Sequence, residues 1–131
     1  MDSNIPMYLI GSPHPCRDEA RRALESLALT GERLVTSVEV LQEILHRYSA
    51  IRRPDAIHPA FSALLNLVDE VFPVILDDAL RAREVLFSIP SVSSRDAMHI
   101  AVMERCGVPR ILSFDSGFDR APGIQRLPSG A

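Results

Sequence analysis

The chain reads as an α/β domain, a short parallel central sheet flanked by helices. Short apolar runs alternate with longer segments whose apolar residues recur at helical spacing, the order expected of parallel strands joined by helical crossovers. Gly, Pro, Ser and Asp punctuate the joins. Acids stand where strands hand over to helices, and in such sheets binding sites lie at the strand carboxyl ends.

Asp2-Ser3-Asn4 opens the chain before an apolar stretch, Ile5 to Ile10, that Gly11-Ser12-Pro13 ends. Pro15 to Leu29 has the helical pattern, with Ala20, Ala23, Leu24 and Leu27 on one side and Arg21, Arg22 and Glu25 on the other. Thr30-Gly31 stops it. Arg33 to Thr36 is a short strand, and Ser37 suits the N-cap of a helix that runs to about Tyr48 with Val38, Leu41, Leu45 and Tyr48 as its apolar stripe. Pro59 to Val71 repeats the pattern through Phe61, Leu64, Leu65 and Val68. Phe72 to Leu76 is a compact strand whose Pro73 belongs at its start or at an edge. Asp77 or Asp78 caps a helix over about Ala79 to Phe87, and Ser93-Ser94-Arg95-Asp96 leads into another over about Ala97 to Cys106, with Ile100, Ala101 and Val102 inward and Gly107 at its end. Arg110 to Phe114 is the clearest strand, Asp115 to Asp119 turns from it, and Ile124 to Leu127 adds a last one.

A chain of 131 residues, 47% hydrophobic and 24% charged, forms one domain with an ordinary core. No apolar run approaches the roughly 20 residues that cross a bilayer, and the N-terminus lacks a secretory layout, so the expected location is the cytoplasm. Cys16 and Cys106 are isolated thiols without metal or disulfide spacing. The net charge of −3 argues against nucleic-acid binding through bulk positive charge but leaves room for a local basic rim. All 14 basic residues are arginine, which excludes P-loop, Schiff-base and receiver-type chemistry that needs a lysine, while suiting forked contacts to phosphate.

Each acid has an ordinary structural role beside a functional one. Asp115 follows an apolar run and projects at a strand end, where it also suits the start of a turn. Asp96 lies three residues after Ser93, the spacing of a capping box with a shorter acid. Glu43 is mid-helix with Arg47 one turn on, an ordinary surface ion pair, yet it flanks the apolar stripe; Glu39 is one turn earlier on the same flank. Asp2, near the terminus, would by itself be solvent-exposed. His99 stands one turn past Asp96, close enough in sequence to reach the same place or to serve the core.

Taken in order along the chain, Asp2-Ser3-Asn4, Thr36-Ser37 with Glu43 downstream, Ser94-Arg95-Asp96-Ala97 and Ser113-Phe114-Asp115 with Phe118 resemble the PIN-domain ribonucleases, particularly the VapC-type toxins of bacterial type II toxin–antitoxin pairs. The resemblance spans nearly the whole chain as a single PIN-like domain. It implies an acidic pocket of Asp2, Glu43, Asp96 and Asp115, with Asn4, Thr36 and Ser37 as a supporting shell and Asp119 as a further acid or a turn contact. One departure concerns the start: only Met1 precedes Asp2, so the first strand of the family pattern is truncated or the natural start lies upstream.

Carboxylates held close together repel, and a divalent cation resolves the repulsion. Oxygen donors without an array formed by His14, His46, His58 or His99 point to Mg²⁺ or Mn²⁺ and away from zinc. The resemblance implies metal-dependent hydrolysis of an RNA phosphodiester, with Asp2 and Asp96 as direct ligands and Glu43 and Asp115 binding a second metal or orienting water. It also implies a transfer RNA or ribosomal RNA loop as substrate, a VapB-type antitoxin as inhibitor, and a homodimer. Arg95 is the first candidate for contact with RNA, ahead of Arg47 and Arg110. The competing reading is a catalytically inactive PIN-like domain that binds RNA or another protein.

Overall fold

A computed structural model describes residues 15–31, 33–113 and 116–127. Within them the order is α1 (Pro15–Leu29), β1 (Val35–Ser37), α2 (Val38–Ala50), a 3-10 turn (Pro54–Ala56), α3 (Ile57–Leu67), β2 (Glu70–Phe72), α4 (Leu76–Ser88), α5 (Ser94–Cys106), β3 (Arg110–Leu112), a second 3-10 turn (Ser116–Arg120) and β4 (Gln125–Leu127). The α/β expectation holds. Strands pair in parallel as β1–β2 and β3–β4, with Thr36 opposite Val71 and Ile111 opposite Arg126. The expected elements at Ile5 to Ile10, and the residues Asp2, Asn4 and Asp115, lie outside the described residues.

Helix α1 has the expected bounds, and it turns Ala20 and Leu24 inward onto Leu112 of β3. Helix α2 differs in its inner face. The buried residues are Val40, Glu43, Ile44 and Tyr48, whereas Val38 and Leu45 are exposed. The apolar spacing fits either face of a helix; packing of Val40, Ile44 and Tyr48 against Ala60 and Leu64 of α3 selects one of them. Ser37 occupies the N-cap position in extended conformation, but its side chain makes no capping hydrogen bond.

Helix α3 begins and ends earlier than the sequence suggests. The 3-10 turn feeds into it, and Pro59 sits in the first turn, where a missing N–H costs nothing. Val68 is extended and releases Asp69 to Phe72 for pairing. Asp69 then extends the ladder: its N–H donates to Leu34 O at 2.7 Å, and its Oδ2 accepts the Leu34 N–H at 2.9 Å. Pro73 has no N–H to continue the ladder, so the second strand lies at Glu70–Phe72 and not at Phe72 to Leu76. Helix α4 starts at Leu76, ahead of the expected Ala79, because Asp78 Oδ2 accepts the Ile75 N–H at 3.0 Å.

Helix α5 is capped at both ends as the sequence predicts. Ser93 Oγ accepts the Asp96 N–H at 3.2 Å, and Gly107 takes a left-handed φ of 69° that a side chain would resist. Helices α4 and α5 run antiparallel. Arg105 Nε donates to Asp78 Oδ1 at 2.8 Å and its Nη2 donates to Asp78 Oδ2 at 3.0 Å and to Pro73 O at 2.8 Å. Between them Ala82, Val85, Ala97, Ile100 and Ala101 join Ile111 and Phe118 in the largest apolar cluster.

Candidate functional site

The carboxyl end of β1 leads through Ser37 directly into α2, whose inner face carries Glu43. Opposite stands α5, whose first turn carries Asp96 and whose second carries His99. All three side chains are buried: Glu43 is 5% exposed, Asp96 8% and His99 5%. The two helices meet through Glu43 and His99. His99 Nε2 lies 3.0 Å from Glu43 Oε1, and since an ionised carboxylate can only accept, the imidazole N–H is the donor. Asp96 and His99 share one helix face, about 5–6 Å apart at Cβ by helical geometry. Glu43 and Asp96, distant in sequence, thus stand on the two helices that the His99–Glu43 contact joins.

This overturns the surface role open to Glu43: it faces His99 across the interior and not Arg47, which is exposed. His99, for which the sequence left both a core role and a site contact open, is buried against Phe118 and also touches Glu43, one of the expected acids. Its signal was the spacing of three residues from Asp96. Behind it Phe118, fully buried, holds the imidazole with ring centroids 6.2 Å apart.

Glu39 and Arg95 belong to the same electrostatic neighbourhood. Burial lifts the Glu39 carboxyl above its usual range; His99 and Arg95 act against this, and the Glu43 charge acts with it. Arg95 is exposed beside Asp96, where a cation can meet a ligand phosphate at the rim. Arg110 begins β3 and so lies at the amino end of that strand, opposite to the end that Asp115 follows.

Thr36 and Ser37 are buried at the end of β1, and a cavity of about 30 Å³ beside them is lined also by His99, Val40 and Phe72. Among the described residues Ser37 Oγ has no hydrogen-bond partner. Asp119 makes the turn contact considered for it: Arg126 Nε donates to Oδ1 at 2.9 Å and Nη2 to Oδ2 at 3.2 Å, and this pairing holds the carboxyl below its usual range. Among the described residues no three His, Cys, Asp or Glu side chains gather around one point. Asp2 and Asp115 lie outside them, so Glu43 and Asp96 are the two described members of the expected pocket.

Short parallel strands joined by helices, with buried acids on two of those helices, define the class. Residues 1–124 match the family model described as PIN domain, and the chain belongs to the PIN-domain family. Within it the similarity is to VapC ribonucleases: Ribonuclease VapC13 of Mycobacterium tuberculosis is 55% identical over 127 residues, 97% of each chain. Ribonuclease VapC23 of the same organism is 37% identical over 115 residues, 88% of this chain and 90% of the relative. Among solved structures, the crystal structure of Mycobacterium tuberculosis VapC20, described as a Sarcin-Ricin loop cleaving toxin, aligns with a TM-score of 0.74 at 25% identity, covering 92% of each chain. VapBC2 from Rickettsia felis, bound to a DNA fragment from its promoter, aligns with a TM-score of 0.72 at 16% identity over 95% of this chain and 92% of that one, which is a likeness of fold.

Proposed function

We propose that the chain is a Mg²⁺- or Mn²⁺-dependent endoribonuclease, the toxin of a toxin–antitoxin pair, inhibited by a VapB-type antitoxin. The observation that carries this reading is the burial of Glu43 and Asp96, acids of two helices joined by the His99–Glu43 contact, in a relative of VapC ribonucleases. Buried carboxylates call for a cation, and an oxygen donor set suits a hard divalent one. The residues present fit such an ion: two buried acids, with the orphaned hydroxyl of Ser37 at the end of β1. The kinship with VapC ribonucleases, whose resemblance implies metal-dependent hydrolysis, supports the same reading.

In this reading Asp2, Asp96 and Asp115 hold the ion, and Glu43 orients the attacking water or binds a second ion. When bound, the ion supplies Lewis-acid stabilisation of charge on the scissile phosphate. Arg95 at the rim holds a neighbouring phosphate, offsetting the repulsion between acids and RNA. Thr36 and Ser37 shape the wall, and Asp119, held by Arg126, stiffens the turn that follows Asp115. A transfer RNA or ribosomal RNA loop is the substrate class that VapC kinship supports. Exposed Leu65, Leu76, Leu80 and Phe87 on α3 and α4 offer apolar surface for a homodimer. Among the described residues no helix is long and apolar enough to cross a membrane, and the cytoplasm is the proposed location.

The test is cleavage of structured RNA by protein freed of any partner, with Mg²⁺ or Mn²⁺ and with excess chelator. Cleavage is expected only with metal, and Asp96→Asn is expected to abolish it without loss of fold. Undiminished cleavage in chelator, or in Asp96→Asn, sinks the assignment. A folded wild type inert with every divalent ion points to the inactive RNA-binding or interaction domain.

A further inference from the structure

Glu43 reaches into the site on a long, rotatable stem. A carboxylate so mounted must be held by a second group if it is to act in one direction. The group that holds it comes from the other helix. His99 donates Nε2–H to Glu43 Oε1 at 3.0 Å, with both side chains buried, so bulk water cannot readily take the imidazole's place. The imidazole is itself backed by Phe118. Because Asp96 and His99 project from the same face of α5, one rigid helix sets the position of one acid directly and the direction of the other through a hydrogen bond.

We propose that His99 is a positioning residue of the ribonuclease site, fixing the Glu43 carboxylate relative to Asp96. The inference rests on the proposed nuclease function. It distinguishes His99 from a core histidine, whose loss would alter stability alone. Supporting contacts of this kind typically change metal affinity or activity by about 10- to 100-fold when removed.

The experiment compares wild type, His99→Leu and His99→Gln in three measurements: Mn²⁺ affinity by calorimetry, steady-state RNA cleavage, and thermal melting. Glutamine places a carboxamide N–H near the position of Nε2, whereas leucine has no donor. The expected result is that His99→Leu weakens Mn²⁺ binding and lowers kcat by about 10- to 100-fold with KM for RNA little changed, and that His99→Gln recovers most of both losses. Should His99→Leu fail to fold, His99→Asn, too short to reach Glu43, takes its place with the same expectation. Wild-type Mn²⁺ binding and kcat in the donor-less variant overturn the proposal, as does a folded His99→Gln no better than His99→Leu. If wild type binds Mn²⁺ without cleaving RNA, the nuclease reading falls and the Mn²⁺ series alone decides the role of His99.

Discussion

Two buried acids in this molecule are satisfied in different ways. Asp78, 1% exposed, sits at the start of α4 against a permanent cation: Arg105 grips both its oxygens, and the Ile75 N–H adds a further bond. Burial alone would raise the Asp78 carboxyl, and the guanidinium with that N–H outweighs burial and holds it below its usual range. Glu43, 5% exposed, faces an imidazole, which is cationic only when protonated, and lies near the carboxyl of Glu39. An acid locked to arginine is a structural clamp. One that faces a histidine, with a further acid near it, is suited to receive a cation from outside the chain.

The sharpest way to break this contrast is to neutralise the acids of the two regions in turn. Glu43→Gln is expected to lower RNA cleavage by about 100-fold or more, since it removes a charge in the site itself and not a supporting contact. Arg105→Met is expected to leave cleavage per folded molecule little changed while lowering the melting temperature by about 10 °C, because Asp78 then stays buried without its cation. Equal loss of cleavage in both variants would erase the distinction.

A smaller effect follows from pH. A carboxyl whose folded-state pKa is depressed adds stability that is present above its unfolded pKa and is lost as pH falls through the folded value. The advantage of wild type over Arg105→Met in denaturant melts is therefore expected to narrow between about pH 5 and pH 3. An advantage that grows in acid would mean that Asp78 is not held ionised. The smallest effect belongs to Asp119→Asn: its pair with Arg126 is half-exposed, and the melting temperature is expected to shift by about 2 °C or less. A larger shift would show that this turn contributes more to the fold than an exposed ion pair can.

Much of the fold was legible because it depends on local chemistry. Helix α1 and the caps of α5 follow directly from apolar spacing, Ser93 and Gly107, although α5 begins at Ser94, ahead of the expected Ala97. Boundaries failed where a partner elsewhere decided them. Pro73 shortened β2 on one side, and pairing with β1 drew Glu70 and Val71 into it on the other. The face of α2 could not be read from periodicity, since either apolar stripe is helical and only contact with α3 selects Val40, Ile44 and Tyr48. That choice matters for the site, because it is the same rotation that turns Glu43 inward.

Composition and order along the chain determined an α/β protein with acids at its element junctions and arginine as its only lasting cation. Those properties depend on residue type and on near neighbours. Which acids come together, and which carry a structural arginine, depends on how α2, α4 and α5 pack, a matter of contacts between residues far apart in sequence. Tertiary structure alone therefore decided that Asp78 is a clamp, that Asp119 holds a turn, and that Glu43 meets His99 beside Asp96.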